Sequence, residues 1–219
     1  MARKKNKPIE QAAEAALEAD AAVAEAAEPY AKTPLVRAIS LLSEIGDQPP
    51  MRALCAAVVG AGVVAGSPRL TRAGLRMIAA HTLATEAKNV VKRRIDRTRP
   101  RTDRNHKLKP GRRTDKETTS FPSGHSAGAI AVAQAYAREF PEHRAAALAG
   151  AGAIALAQIP RCAHYPTDVG AGLALGLASE ALVDRSFDPV LDALVPLLPA
   201  AVATRLVEEF QLSGEESEA

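Results

Sequence analysis

Apolar residues recur along most of the chain at the three- and four-residue spacing of a helix, and no segment shows the strict alternation of a strand. Polar or proline-containing breaks separate the apolar runs, and the longest break covers 96–121. The pattern predicts an all-α bundle of about five to six core helices. The predicted helices cover 53–66, 73–91, 126–137, 145–159 and 169–183, with a further helix over 190–207 that Pro196 and Pro199 interrupt.

The two ends of the chain lack this apolar pattern. Ten of the sixteen residues in 12–27 are Ala, which favours a helix on propensity but offers almost no apolar stripe. We therefore expect a solvated helix that ends before Pro29. The first eight residues are basic and are followed by Glu-rich sequence, so no removable secretory signal is expected. The predicted organisation is a flexible tail over 1–34, a helical core over 35–207 and an acidic tail over 208–219.

The hydropathy of the apolar runs lies near the limit for a membrane span. A span needs about 20 mostly apolar residues, whereas these runs are shorter, rich in Ala and Gly, and interrupted by charges. Trp is absent, so no aromatic belt is expected. Two small-residue faces, Gly172 with Gly176 and Gly150 with Gly152, favour the close helix packing found in lipid. A membrane-embedded bundle and a soluble Ala-rich bundle both fit these features.

Charge is concentrated in one part of the chain. The formal net charge is only +3, but thirteen Lys or Arg lie between Lys88 and Lys116 against three Asp. Such a local excess indicates an anion site. No aromatic residue lies in this stretch, which argues against a nucleic-acid binder that stacks bases. Cys55 and Cys162 are the only cysteines, so neither a disulfide framework nor a cysteine metal site is expected.

Two of the basic residues are candidates for phosphate binding. Lys92 and Arg99 lie seven residues apart near the predicted end of a helix that Pro100 stops. Two helical turns separate them, so both side chains would lie on one face and reach a common anion. Taken alone, a stretch rich in Lys and Arg is more often a solvated face or a lipid-headgroup patch.

A second candidate segment, Pro-Ser-Gly-His at 122–125, precedes an apolar helix. Ser123 is a natural N-cap, and Gly124 allows a ligand to approach the backbone N–H groups at the helix start. His125 would then lie in the first turn, where it can donate a proton to a departing oxygen. A plain capping motif with an incidental His would have the same sequence.

The third candidate is a His with an Asp one helical turn later. Asp168 can accept a hydrogen bond from one imidazole nitrogen of His164, which leaves the other nitrogen as a nucleophile. Pro166 occupies the expected first position of the next helix. A His near a helix start is also commonly a satisfied or solvent-facing residue.

The order and spacing of these segments resemble the three-part signature of the type-2 phosphatidic acid phosphatase superfamily. That superfamily joins membrane lipid phosphatases, bacterial acid phosphatases and vanadium haloperoxidases on one helical core. The resemblance covers about 53–183. The matching residues are Lys92 with Arg99-Pro100, then Pro122-Ser123-Gly124-His125, then His164 with Asp168.

The resemblance implies a metal-independent phosphatase that needs no cofactor. His164 would attack phosphorus with support from Asp168, and His125 would protonate the leaving oxygen. Water would then hydrolyse the phosphohistidine. The phosphoryl oxygens would be held by Lys92, Arg99, Ser123 and the backbone N–H of Gly124.

The third segment departs from the family pattern. The family has Ser-Arg where this chain has Ala157 and Gln158. Gln158 offers only a neutral amide and cannot supply a bidentate cation. Arg161, three residues before His164, is the candidate substitute for phosphate binding. Losing one preorganised charge from such a site typically lowers the rate about a hundredfold.

The predicted substrate is a lipid phosphate or a prenyl diphosphate, because the apolar helices around the motifs are typical of the membrane branch of the family. The predicted location is the cell membrane, as a multi-pass protein of the bacterial inner membrane, without a nucleic-acid partner. One alternative is a weak or inactive homologue that binds phosphorylated headgroups, which the neutral Gln158 favours. A vanadate-dependent haloperoxidase and a soluble acid phosphatase are less favoured functions that share the same motifs.

Overall fold

The computed structural model of the protein describes residues 7–102, 107–112, 115 and 118–194. In this part the chain is an α-helical bundle, which confirms the all-α prediction. A two-residue antiparallel ladder joins β1 (Ile95–Asp96) to β2 (Lys109–Pro110). The seven helices are α1 (Lys7–Ala27), α2 (Pro34–Ser43), α3 (Gln48–Ala65), α4 (Pro68–Lys92), α5 (Gly124–Glu139), α6 (Arg144–Leu156) and α7 (Pro166–Leu194).

A tight turn joins α3 to α4 and makes them antiparallel neighbours. Gly66 ends α3 with a φ of 60°, a left-handed conformation that costs glycine little. Ser67 then caps α4 by accepting a hydrogen bond from the backbone N–H of Leu70 at 3.4 Å. The two helices touch through their backbones, since a Cβ on Gly62 would lie 2.5 Å from the backbone N of Thr71.

The core of the bundle surrounds α5. Eleven of the sixteen residues of α5 are buried, and most are Ala or another small residue. It packs against α4, α6 and α7, with Met51, Cys55 and Met77 filling the space on the α3–α4 side. Cys55 and Cys162 are both free thiols. Small side chains let these helices approach closely, which fixes where their ends meet.

The contact between α5 and α7 depends on glycine. A Cβ on Gly172 would lie 2.5 Å from the backbone O of Ser123, and one on Gly176 would overlap the backbone O of Ala127. The predicted small-residue face at these two glycines is therefore confirmed. The corresponding prediction for Gly150 and Gly152 is wrong, because a Cβ on either would meet open space. The first turns of α5 and α7 consequently lie side by side.

The predicted separate helix over 190–207 is wrong in its first part, because α7 continues through Pro189 to Leu194. The polar residues that suggested a break at 184–188 face arginines of α4. Asp184 lies 2.8 Å from Arg76 in an ion pair. The acidic residues of this segment are therefore compatible with a continuous helix. Residues 195–219, including the predicted acidic tail, lie outside the described part.

That ion pair belongs to a larger group of charges, which we call the distal cluster. It joins the first half of α4 to the end of α5 and the second half of α7. Its arginines all contact carboxylates, and Arg138 lies 2.9 Å from Glu180. The members of the distal cluster are Arg72, Arg76, Arg138, Glu139, Glu180, Asp184 and Asp188.

The most exposed of the large apolar side chains lie on α2 and α3. The sequence pattern did not single out α2, whose Leu41 and Leu42 are 76% and 77% exposed. On α3, Val63 and Val64 are also exposed. Among the described residues, α3 is the one helix whose length and composition would allow it to cross a membrane.

Candidate active site

The three predicted segments meet at one end of the bundle. The backbone N–H of Ser123, at the start of α5, donates to the backbone O of Asp168 in α7 at 3.0 Å. The amine of Lys92 donates to the backbone O of Thr119, just before α5. Arg99 donates to the backbone O of Ala163, next to His164, at 3.2 Å. The fold therefore brings together residues that are more than 70 positions apart in the chain.

His164 and Asp168 form the buried floor of the site. His164 is 3% exposed and Asp168 is fully buried. The Nδ1 of His164 lies 3.6 Å from the Oδ2 of Asp168, slightly longer than a hydrogen bond. The backbone N–H of Tyr165 donates to that same Oδ2 at 3.0 Å. The carboxylate thus faces Nδ1, and Nε2 is the nitrogen left for chemistry.

The surroundings of His164 favour the neutral imidazole. Burial lowers the pKa of His164 to about 4, and the positive charges of Arg99 and Lys92 act in the same direction against the opposing effect of Asp168. A group with so low a pKa carries no proton on its second nitrogen at pH 7. The imidazole therefore keeps the lone pair that a nucleophile requires.

The start of α5 has the expected cap. The Oγ of Ser123 accepts a hydrogen bond from the backbone N–H of Ser126 at 3.4 Å, and a second one links the two hydroxyls at 2.8 Å. The Nε2 of His125 is buried and has no hydrogen-bond partner among the described residues. Buried polar atoms usually have a partner, so this nitrogen is a candidate for contact with a ligand.

Arg99 reaches the site in a different way from that predicted. The prediction of a shared helical face with Lys92 is wrong, because α4 ends at Lys92 and the chain turns into β1. The backbone of Arg97 explains the departure, since its N–H donates to Thr118 and its O accepts from Ser120, both at 2.9 Å. These bonds outcompete helix continuation, so Arg99 lies in irregular chain after β1.

Two lysines on the last turns of α4 lie against the start of α5. Lys88 is 6% exposed, and its Cδ lies 3.1 Å from the place where Gly124 would carry a Cβ. Lys92 follows one helical turn later. Burial lowers the pKa of Lys92 to about 7, with Arg99 and Lys88 adding to the effect. Lys88 was not predicted as a site residue, although its four-residue spacing from Lys92 places both on one helical face.

The structure separates Gln158 and Arg161, the two residues considered for the departing third segment. Gln158 is fully buried, and its Nε2 donates to the backbone O of Ile154 at 2.9 Å. Arg161 donates to the hydroxyl of Ser43 at 2.9 Å and to the carboxylate of Glu44 at 2.5 Å. The predicted role of Arg161 in phosphate binding would require it to leave these partners.

The backbone of Gln158 shapes the turn that carries His164. Its carbonyl O accepts from the N–H groups of Ala163 at 3.1 Å and of His164 at 3.2 Å. Within this turn Cys162 has a positive φ of 50°, which is uncommon for a residue other than glycine. Gln158 thus contributes to the site through the position of its backbone.

Two further residues beside Asp168, Arg97 and Asp20, were not predicted from the sequence. The guanidinium of Arg97 is fully buried, 2.6 Å from Asp168 and 2.7 Å from Asp20. It lies 4.0 Å above the ring of Tyr165. Asp20 is the only Asp of α1, the helix that was expected to be a solvated tail. No local pattern could have identified this contact, because it joins residues 77 positions apart.

A family model and a solved structure both match this chain. The family model described as PAP2 superfamily matches residues 73–189. A crystal structure of a transmembrane PAP2 type phosphatidylglycerolphosphate phosphatase from Bacillus subtilis superposes with a TM-score of 0.60 at 26% sequence identity. That superposition covers 78% of this chain and 85% of the other.

Two curated relatives match over a shorter stretch. They are lipid A 1-phosphatases of Rhizobium etli and Rhizobium johnstonii, each 47% identical over 57 residues. The match covers 26% of this chain and 25% and 23% of the two relatives. The similar stretch is therefore about a quarter of the length of each relative.

Proposed function

This chain belongs to the PAP2 superfamily, and on that basis we propose that it hydrolyses a lipid phosphate or a prenyl diphosphate through a phosphohistidine on His164. The observation that carries the proposal is a buried, neutral imidazole beside Asp168, close to the basic side chains at the end of α4. Neutral His supplies the nucleophile, and the cations stabilise the charge on the phosphoryl oxygens.

In the first step the Nε2 of His164 attacks phosphorus, and the bond from phosphorus to the leaving oxygen breaks. The imidazole becomes cationic as the N–P bond forms, so its Nδ1–H gains a strong hydrogen bond to Asp168. The present distance of 3.6 Å needs to shorten by about 0.6 Å to reach hydrogen-bond length.

His125 serves the leaving group. In its imidazolium form, His125 donates the proton on its buried Nε2 to the departing oxygen and becomes neutral. Burial lowers the pKa of His125, so this form requires the negative charge of the bound phosphate beside it. In the second step the neutral His125 takes a proton from water, which attacks the phosphohistidine and regenerates the free imidazole of His164. Inorganic phosphate is the product.

The phosphoryl oxygens are held by cations and backbone N–H groups. Lys92, Arg99 and the capped start of α5 at Ser123 and Gly124 form the binding set predicted from the sequence. Lys88 adds the charge that Gln158 cannot provide, because Lys88 is buried against Gly124 and forms no ion pair among the described residues. Two lysines one turn apart on a rigid helix are preorganised for one anion.

The substrate is a phosphorylated lipid presented by a membrane. The names of the similar proteins support this choice, since they act on lipid A and on phosphatidylglycerolphosphate. The membrane contact is formed by the apolar helix α3 and by the exposed leucines of α2, such as Leu41 and Leu42. The phosphate site then lies where α4 ends, within reach of lipid headgroups.

A headgroup-binding protein without turnover is the second candidate, because Gln158 stands where the family has a cation. This candidate predicts binding of phosphorylated lipid without release of phosphate. The first candidate predicts release and a covalent intermediate on His164.

The test is phosphate release by detergent-purified protein from phosphatidic acid, a prenyl diphosphate and a soluble aryl phosphate, with EDTA present. His164→Ala should abolish release, whereas His143→Ala, which changes an exposed histidine at the far end of α5, should not. A phosphate label on the protein that is lost in acid and absent from His164→Ala would identify the intermediate. Release that persists in His164→Ala would refute the mechanism, and binding without release would favour the second candidate.

A further inference from the structure

A buried guanidinium connects the Asp of the active site to the N-terminal helix. Arg97 donates to the Oδ1 of Asp168 at 2.6 Å and to the Oδ2 of Asp20 at 2.7 Å. The backbone N–H of Thr167 donates to the other oxygen of Asp20 at 3.0 Å. The side chains of the three charged residues are 0% to 1% exposed. Asp20 is thus buried, whereas the glutamates of α1 are exposed.

These contacts fix the orientation of the Asp168 carboxylate. Arg97 occupies its Oδ1, and the N–H of Tyr165 occupies its Oδ2 at 3.0 Å. The carboxylate therefore cannot rotate without breaking one of two buried hydrogen bonds. In this orientation Oδ2 is the oxygen that faces the Nδ1 of His164.

The charges of Asp20, Arg97 and Asp168 do not cancel one another. One guanidinium lies between two buried carboxylates, so Asp20, Arg97 and Asp168 together carry one net negative charge. If Arg97 paired with Asp168 alone, the two charges would neutralise each other next to His164. Sharing the guanidinium with Asp20 leaves Asp168 with more of its negative charge available to the imidazole.

We propose that Asp20 is a positioning residue of the active site, which acts through Arg97 to orient Asp168 and to preserve its negative charge toward His164. The proposal rests on the proposed function of His164 as the nucleophile. It makes α1 a part of the catalytic unit, although the family match covers only 73–189. The effect belongs to the attack step, since the imidazole becomes cationic only as the N–P bond forms.

The test compares Asp20→Asn with two matched carboxylate variants in the full-length protein. Glu18→Gln changes an exposed residue of the same helix. Glu180→Gln removes a buried carboxylate of α7 that binds Arg138 at 2.9 Å, twelve residues and about 18 Å from Asp168.

Asp20→Asn should lower kcat about 10- to 100-fold, as the loss of an outer partner typically does. KM should stay within about twofold, because Asp20 does not touch the substrate.

Both controls should keep kcat within about twofold per folded protein. A kcat for Asp20→Asn equal to that of Glu180→Gln, after correction for the folded fraction, would overturn the proposal. If Asp20→Asn does not fold, Thr167→Val provides the test, because it removes only a hydroxyl that bonds Asp20 and Arg97. We expect about a fivefold loss of kcat there, the equivalent of one hydrogen bond, and an unchanged kcat would overturn the proposal.

A measurement without turnover separates this proposal from the proposed function. Histidine-labelled protein reports the imidazole resonances of His164 by NMR, with His164→Ala for assignment. Asp20→Asn should shift these resonances, whereas Glu180→Gln should not. If the wild-type protein releases no phosphate, the proposed function fails. The NMR comparison still tests whether Asp20 influences His164. Identical His164 resonances in the wild type and Asp20→Asn would overturn the proposal that Asp20 is a positioning residue.

Discussion

The two ends of α4 carry charges in opposite arrangements. Near its start, in the distal cluster, Arg76 lies 2.7 Å from Glu139 and 2.8 Å from Asp184. Near its end, neither Lys88 nor Lys92 forms an ion pair with a carboxylate among the described residues. One end is neutralised within the protein, and the other holds an excess of positive charge.

On the proposed function, this difference separates charges that stabilise the fold from charges that serve a ligand. A buried cation is costly unless it is paired, so the distal arginines are stable only with their carboxylates. The lowered pKa of Lys92 reflects the same cost where no carboxylate neutralises the charge. An incoming phosphate would supply the missing partner. The comparison therefore predicts stability defects at one end and functional defects at the other.

The largest effect is expected for Arg76→Met, which leaves the carboxylates of Glu139 and Asp184 without one of their cations. The free energy of unfolding should fall by about 3 kcal/mol, the lower end of the range for breaking a buried pair. Urea titration measures this change. Arg69→Met is the control, since the ion pair of Arg69 with Glu142 is about half exposed and exposed pairs contribute little to stability, so its loss of stability should be clearly smaller. Phosphate release per folded Arg76→Met protein should equal that of the wild type.

Lys92→Met should show the reverse behaviour. The loss of one preorganised cation should lower kcat/KM about 100-fold, while the midpoint of urea unfolding stays the same or rises, because a poorly compensated buried charge is removed. The same phosphate-release assay and urea titration apply. An activity loss no larger than that of Arg76→Met per folded protein would contradict the division between the two ends.

Lys88→Met should produce a smaller loss of the same kind. Lys88 lies one turn behind Lys92 and supplements a set of cations that remains in place, so we expect about a tenfold fall in kcat/KM. Arg144→Met, at the exposed start of α6, removes the same charge away from the site and should have no effect. Equal activities of the two variants would show that Lys88 does not contact the phosphate.

The smallest effect concerns pH. In the proposed mechanism the charged form of Lys92 binds the anion, and the pKa of Lys92 is lowered to about 7. Inhibition by sulfate, whose own charge is constant in this range, should therefore weaken as pH rises above about 7, by at most tenfold per pH unit. Lys92→Arg stays charged and should flatten this dependence. The same slope in the wild type and in Lys92→Arg would assign the effect to another group.

Local patterns in the sequence predicted the helices around the site and the cap at Ser123, because both depend on neighbouring residues. They also indicated the contact face at Gly172 and Gly176. The path of the chain after Lys92 was not predictable in this way, since it depends on backbone bonds between Arg97 and a segment about 20 residues later. Helical spacing alone gave the wrong position for Arg99.

The buried contact of Asp20 illustrates the same limit more strongly. In the sequence, α1 is an Ala-rich helix without an apolar stripe, and nothing local distinguishes its one Asp from the surrounding Glu. Its importance comes from Arg97 and Thr167, which lie far along the chain. Long-range ionic contacts of this kind depend on the assembled fold.

The charged residues of α4 leave only a short uncharged interval in the middle of the helix. No charged side chain lies between Arg76 and Glu86, an interval of about 15 Å. The hydrocarbon core of a bilayer is about 30 Å thick, so this interval matches the thickness of one leaflet. For a protein that acts on a membrane lipid, as proposed here, this uncharged interval fits within one leaflet, whereas the 18 residues of α3 are long enough to extend through most of the hydrocarbon core.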